Sequence, residues 1–69
     1  MAKLYNTLKQ HRARLSLTQA ELAEKVEVSR KTINTIENRV FVPSALLALK
    51  IARALQTSVH DIFSLEDDG

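Results

Sequence analysis

Thr18-Gln19-Ala20-Glu21-Leu22-Ala23-Glu24-Lys25-Val26-Glu27-Val28-Ser29-Arg30-Lys31-Thr32-Ile33 holds two helix starts in close succession. The Thr18 hydroxyl is followed three residues later by the Glu21 carboxylate, the pattern of a capping box, so a helix begins at about Gln19. Its inward residues are Leu22, Ala23 and Val26, and it ends near Glu27-Val28 because Ser29 reads as the next N-cap. Only two or three residues separate this helix from the next. A connection that short prevents an antiparallel pair in full contact. The two helices must cross steeply, and Ala23 is small where close approach is needed.

Working outward, the stripe Leu4, Leu8 and Leu15 predicts a first helix over Lys3 to Arg14, broken at Ser16-Leu17. The third helix, about Arg30 to Asn38, sets Ile33 and Ile36 on one side and Arg30, Lys31, Asn34, Thr35 and Asn38 on the other. Together the second and third helices make a helix-turn-helix. Arg39-Val40-Phe41-Val42 reads as an irregular loop, Pro43 favours a helix start after it, and Ser44 caps a fourth helix from Ala45 to about Leu55. That helix is apolar almost all round, which predicts burial on more than one side. Ser58 caps a short fifth helix, Val59 to about Phe63, and Glu66-Asp67-Asp68-Gly69 is expected to fray. The expectation is an all-α, five-helix single domain over 1–69, ordered over about 3–64 with a frayed acidic tail at 65–69.

Composition narrows the function. With 69 residues there is room for one domain, and a chain this short buries only about 60% of its unfolded surface. It has no Cys, which removes disulfides, thiolate metal sites and cysteine nucleophiles, and His11 and His60 are far apart in sequence. No catalytic triad, Gly-rich phosphate loop or metal-ligand spacing is present, so neither an enzyme nor a cofactor or metal is expected, and no small-molecule ligand is evident. No export signal or apolar run of membrane-spanning length appears, which predicts a soluble, cytoplasmic chain without a membrane partner. All ten Lys and Arg lie at or before Arg53 with only four acids among them, leaving +6; the last sixteen residues carry four acids and no cation. This polarity fits a basic face for a polyanion, and equally an ordinary charged surface.

Leu17-Thr18-Gln19-Ala20-Glu21-Leu22-Ala23-Glu24-Lys25-Val26, Val28-Ser29-Arg30-Lys31-Thr32-Ile33 and Ile36-Glu37-Asn38 closely resemble the Xre/Cro/cI-type helix-turn-helix family. Pro43-Ser44, the run Leu47 to Leu55 and Asp61-Ile62-Phe63 are similar to the fourth and fifth helices of its small bacterial and phage members, so the likeness covers about Leu8 to Phe63. The resemblance implies a lambda-repressor-like domain, usually dimeric, that binds double-stranded DNA as a repressor or regulator.

Carried over residue by residue, the family pattern places Arg30 and Lys31 in the major groove, with Asn34 and Thr35 a turn further on. The chemistry agrees, since Arg bonds bidentately to guanine and Asn to adenine, and Thr offers a methyl to thymine. The same pattern makes Gln19, Ser29, Asn38 and Arg39 phosphate contacts, adding affinity and salt dependence but little sequence information. It implies an ion pair between Arg12 and Glu37, both of which flank the inward stripes of their helices. Where the family often has Gly, this chain has Ser16, Glu27 and Arg39; positive φ there costs about 1 kcal/mol each.

Phe41 and Leu46 are either monomer core or the interface of a homodimer. The function expected is a transcriptional repressor reading a palindromic operator as a homodimer. The alternative is a protein-interaction module, such as an antitoxin-like partner binder, using Phe41, Leu46 and the fifth helix.

Overall fold

The computed structural model describes residues 2–67. In chain order the elements are β1 (Ala2–Asn6), α1 (Leu8–Arg14), α2 (Gln19–Val26), α3 (Arg30–Glu37), α4 (Ala45–Ala54), α5 (Val59–Ile62) and β2 (Phe63–Asp67). Hydroxyl caps start most of the helices. Thr18, Ser29, Ser44 and Ser58 accept from the backbone N–H groups of Glu21, Thr32, Leu47 and Asp61, satisfying donors that a helix leaves unpaired at its start. The Thr18 box is reciprocal, and hydrogen bonds from the Thr18 backbone and side chain hold the Glu21 carboxyl below its usual pKa. Bonds from Thr57 and then Ser58 do the same for Asp61. Both carboxylates stabilise the fold above the ordinary carboxylate range; that contribution is lost as pH falls through their lowered folded-state values.

A second device closes the helices. Ser16, Glu27, Arg39 and Gln56 sit in the left-handed region, at φ 56°, 63°, 63° and 57°. After each, the next residue's N–H reaches back five positions: Leu17 to Arg12, Val28 to Ala23, Val40 to Thr35 and Thr57 to Ala52, at 2.9–3.0 Å. These are Schellman-type ends, which ordinarily use Gly to avoid a Cβ clash. Here the only Gly of the chain is Gly69, so all four ends of α1 to α4 carry the side-chain cost. Gln56 joins the three positions read from the sequence.

Leu8, Leu22, Val26, Ile33, Ile36, Ile51, Leu55 and Ile62 form the fully buried core, with Ala23, Ala52 and Phe63 beside them. The buried side of α3 is therefore the one carrying Ile33 and Ile36, which turns its polar side outward.

Four expectations are corrected. The domain is not strictly all-α, because β1 and β2 pair antiparallel with Ala2 opposite Asp67, Leu4 opposite Leu65 and Asn6 opposite Phe63. The predicted first helix is consequently divided, with strand over its first turn and α1 beginning at Leu8. Asn6 makes the transition: its Oδ1 accepts from the Leu8 N–H at 3.2 Å and its Nδ2 donates to the Ile36 carbonyl at 3.0 Å. Leu4 and Leu8 satisfy a helical stripe, but a strand partner near the other end of the chain supplies ladder bonds that an isolated helix turn lacks. For the same reason the expected fraying at Glu66 and Asp67 gives way to β2; Asp68 and Gly69 lie outside the described residues. Finally, α4 buries one side only: Ile51 and Ala52 are inside, whereas Leu46 and Leu49 are 66% and 61% exposed. Among the described residues no helix is long and apolar enough to cross a membrane.

Candidate functional site

The outward side of α3 is built on a lattice of polar side chains that starts at α1. Arg12 Nε donates to Glu37 Oε2 at 2.8 Å and its Nη2 to Oε1 at 3.3 Å, while Nη1 donates to the Leu17 carbonyl at 2.8 Å. The two side chains are 14% and 7% exposed, so a desolvated ion pair ties α1 to the end of α3. A pair in that setting needs its remaining hydrogen-bond capacity filled. Gln19 fills it, with Nε2 donating to Glu37 Oε1 at 3.0 Å and to Asn34 Oδ1 at 3.2 Å. Its Oε1 accepts from Arg30 Nη1 at 3.3 Å. Asn38 Nδ2 also donates to Asn34 Oδ1, at 3.3 Å.

The structure thus brings together Arg12, Gln19, Arg30, Asn34, Glu37 and Asn38. Gln19, read from the sequence as a phosphate contact, spends its amide on orienting Arg30 and Asn34. Its position at the first turn of α2 gives no local clue to that role, because its partners come from α3. Lys31 is exposed and its side chain has no hydrogen bond or ion pair among the described residues. Thr35 donates its hydroxyl to the Thr32 carbonyl at 2.9 Å, and Ser29 is engaged as the α3 cap, 3.0 Å from the Thr32 hydroxyl.

Arg39 stands apart from this lattice. Its Nη2 donates to Glu66 Oε1 at 2.7 Å, and its guanidinium carbon lies 5.5 Å from the centre of the Tyr5 ring. Sequence reasoning missed Tyr5 and Glu66, whose proximity to Arg39 depends on the sheet.

Phe41 and Leu46 belong to different surroundings. Phe41, 47% exposed, lines one groove with Lys31, Thr35 and Val40 and another with Leu4 and Arg39. Leu46 lines one with Val26, Val28 and Leu47 and another with Leu49, Lys50 and Arg53. His11 reaches the Asp61 carbonyl through Nε2 at 3.1 Å, a contact between α1 and α5. Among the described residues no three His, Asp or Glu side chains gather as metal ligands do.

Two short helices crossing at a tight turn, a polar outward side on the second and a third helix bracing both define a helix-turn-helix domain. A family model described as Helix-turn-helix matches residues 8–62, and the chain belongs to that family. It is 49% identical over 63 residues to an uncharacterized HTH-type transcriptional regulator of Methanothermobacter thermautotrophicus, covering 90% of this chain and 91% of that one. It is 44% identical over 64 residues to the uncharacterized HTH-type transcriptional regulator YgzD of Bacillus subtilis, covering 93% and 97%. Among solved structures it is similar to the clp gene regulator ClgR of Corynebacterium glutamicum, with a TM-score of 0.75 and 33% identity over 78% of this chain. The match spans 57% of the ClgR chain.

Proposed function

We propose that this protein is a sequence-specific double-stranded-DNA-binding transcriptional regulator, a cytoplasmic repressor that occupies its operator with α3 in the major groove. One observation carries the reading. Arg30 and Asn34, the side chains suited to guanine and adenine edges, are both held by Gln19, which is itself held by the Arg12–Glu37 pair. Preorganised readers on a rigid helix lose less side-chain entropy on binding than free ones. Lys31 and Thr35 add a cation and a methyl to the same helix. Gln19, Ser29, Asn38 and Arg39 are the residues proposed to meet phosphates, Gln19 through its backbone N–H at the first turn of α2 because its amide is engaged in the lattice, and Ser29 at the start of α3.

The helix-turn-helix of one chain reads one half-site. A palindromic operator places two recognition helices about 34 Å apart on one side of B-DNA, and a homodimer supplies them. Leu46, one helical turn from the equally exposed Leu49 on α4, supports an interface there. Phe41 is a separate interface candidate.

Selection of binders from a random duplex pool, followed by titration of the winner and a scrambled duplex at several salt concentrations, tests the reading. A two-fold symmetric motif, bound far more tightly than the scrambled duplex, is expected. Absence of any enriched sequence would overturn it in favour of the second reading, a protein-interaction module using the exposed residues Phe41 and Leu46 together with α5.

A further inference from the structure

The two strands lie outside the residues matched by the family model, which end at 62 and begin at 8. They do more than tie the termini together. In the observed register Lys3 opposes Glu66 and Tyr5 opposes Ser64, so Tyr5 and Glu66 stand on the same side of the sheet. Arg39 comes to that side from the turn after α3. Its backbone is fixed there, at φ 63°, by its own N–H on the Ile36 carbonyl and by the Val40 N–H on the Thr35 carbonyl. Its guanidinium rests against the Tyr5 ring and donates to the Glu66 carboxylate.

We propose that Glu66 competes with DNA phosphate for Arg39, so that β2 sets how tightly and how salt-sensitively the domain grips the DNA backbone. This rests on the DNA-binding reading above. A carboxylate and a phosphate each offer a pair of anionic oxygens to the planar fork of a guanidinium, and both engage it through charge-assisted hydrogen bonds. The Arg39 and Glu66 side chains are 37% and 46% exposed, and an ion pair that open to solvent is weak enough to be exchanged. Duplex binding transfers the guanidinium from Glu66 to a phosphate oxygen, and the Tyr5 ring positions it for either partner. Glu66 is a positioning residue: it acts only through Arg39. Because phosphate contacts are independent of sequence, the brake acts equally on operator and non-operator DNA.

The test is a double-substitution cycle in the full chain, E66Q, R39Q and both together, titrated with a selected and a scrambled duplex across a range of KCl. E66Q is expected to tighten binding to both duplexes by the same factor, about 3- to 10-fold at low salt. Salt weakens the Arg39–Glu66 pair in the free protein, so this advantage should shrink as KCl rises, and the salt slope of E66Q should be steeper than that of the unmodified chain. In the R39Q background E66Q should change nothing. An unchanged or weaker affinity for E66Q overturns the proposal, as does an equal gain with Arg39 absent, which would mean simple repulsion by the acidic end. A second measurement avoids substitution altogether: the carboxyl carbon resonance of Glu66 in the unmodified chain should move towards that of an unpaired carboxylate as duplex is added, and a static resonance counts against the exchange. If the unmodified chain prefers its selected duplex while E66Q behaves identically, the brake alone falls. Neither form binding duplex at low salt would overturn both the brake and the DNA-binding reading.

Discussion

The junction of α2 and α3 and the exposed apolar positions of the α3–α4 loop and of α4 use opposite kinds of side chain. At the junction, polar groups of Arg12, Gln19, Asn34 and Glu37 find partners within the chain, above a floor of Leu22, Ile33 and Ile36. In the loop and on α4, Val40, Phe41, Val42, Leu46 and Leu49 leave large apolar area in water. The junction is complete in one copy of the chain, and its geometry is specified before any ligand arrives. The second region stays open to water, and burying it would be worth about 25 cal/mol for each Å² removed from water. A polar lattice closed within the chain beside exposed apolar side chains is the division of labour that the proposed dimeric DNA reader would use.

Breaking the junction should have the largest effect. Glu37→Ala leaves the part-buried Arg12 charge without its counter-ion, and we expect a loss of about 2–3 kcal/mol in urea unfolding, short of the penalty for a fully buried pair. A loss below 1 kcal/mol would show that the pair does not brace the two helices. Replacing both partners by Met and Leu should restore much of that stability, because no unpaired charge is left inside.

The apolar surface should fail differently. Leu46→Glu is expected to weaken self-association by about 2 kcal/mol or more while preserving helicity. Sedimentation identical to that of the unmodified chain would remove α4 as the interface; Phe41→Glu, measured separately, tests the other groove.

At the proposed reading face, Arg30→Ala should cost about 1–3 kcal/mol on the selected duplex and relax preference at one base pair. An unchanged base preference would place Arg30 outside the readout.

The smallest change sharpens the comparison from the backbone side. Gly in place of Glu27 or Gln56 relieves a left-handed Cβ clash and is expected to stabilise the fold by about 1 kcal/mol or less each, without altering DNA selectivity. In thermal unfolding that amounts to about 4–8 °C per kcal/mol for a domain of this size.

Most of the helical framework was legible along the chain, because its signals are local. A hydroxyl at Thr18, Ser29, Ser44 or Ser58 acts on an N–H three residues away, and Ile33 and Ile36 share a side through the helical repeat alone. The positive-φ positions Ser16, Glu27 and Arg39 were legible through family likeness, while Gln56 had no such pointer. The candidate readers Arg30, Lys31, Asn34 and Thr35 came from the family likeness laid onto α3, with which their side-chain chemistry agrees. What Gln19 does was not legible, since an amide at a helix start serves a phosphate or a neighbouring side chain equally well until the opposing helix is in place.

The starts of α2 to α5 and the inward aliphatic stripes were therefore settled by neighbours within about a turn, where the physics is that of backbone donors and periodicity. Strand against helix at Ala2–Asn6, exposure against burial on α4, and the partners of Gln19 and Arg39 were settled by contacts between distant segments. Leu4 suits a helix and a strand alike, and only pairing with Leu65 across the fold decides between them. Arg39 is a cation at a helix end in any reading; its possession by Glu66 exists only because β1 and β2 close the two ends of the chain into one sheet.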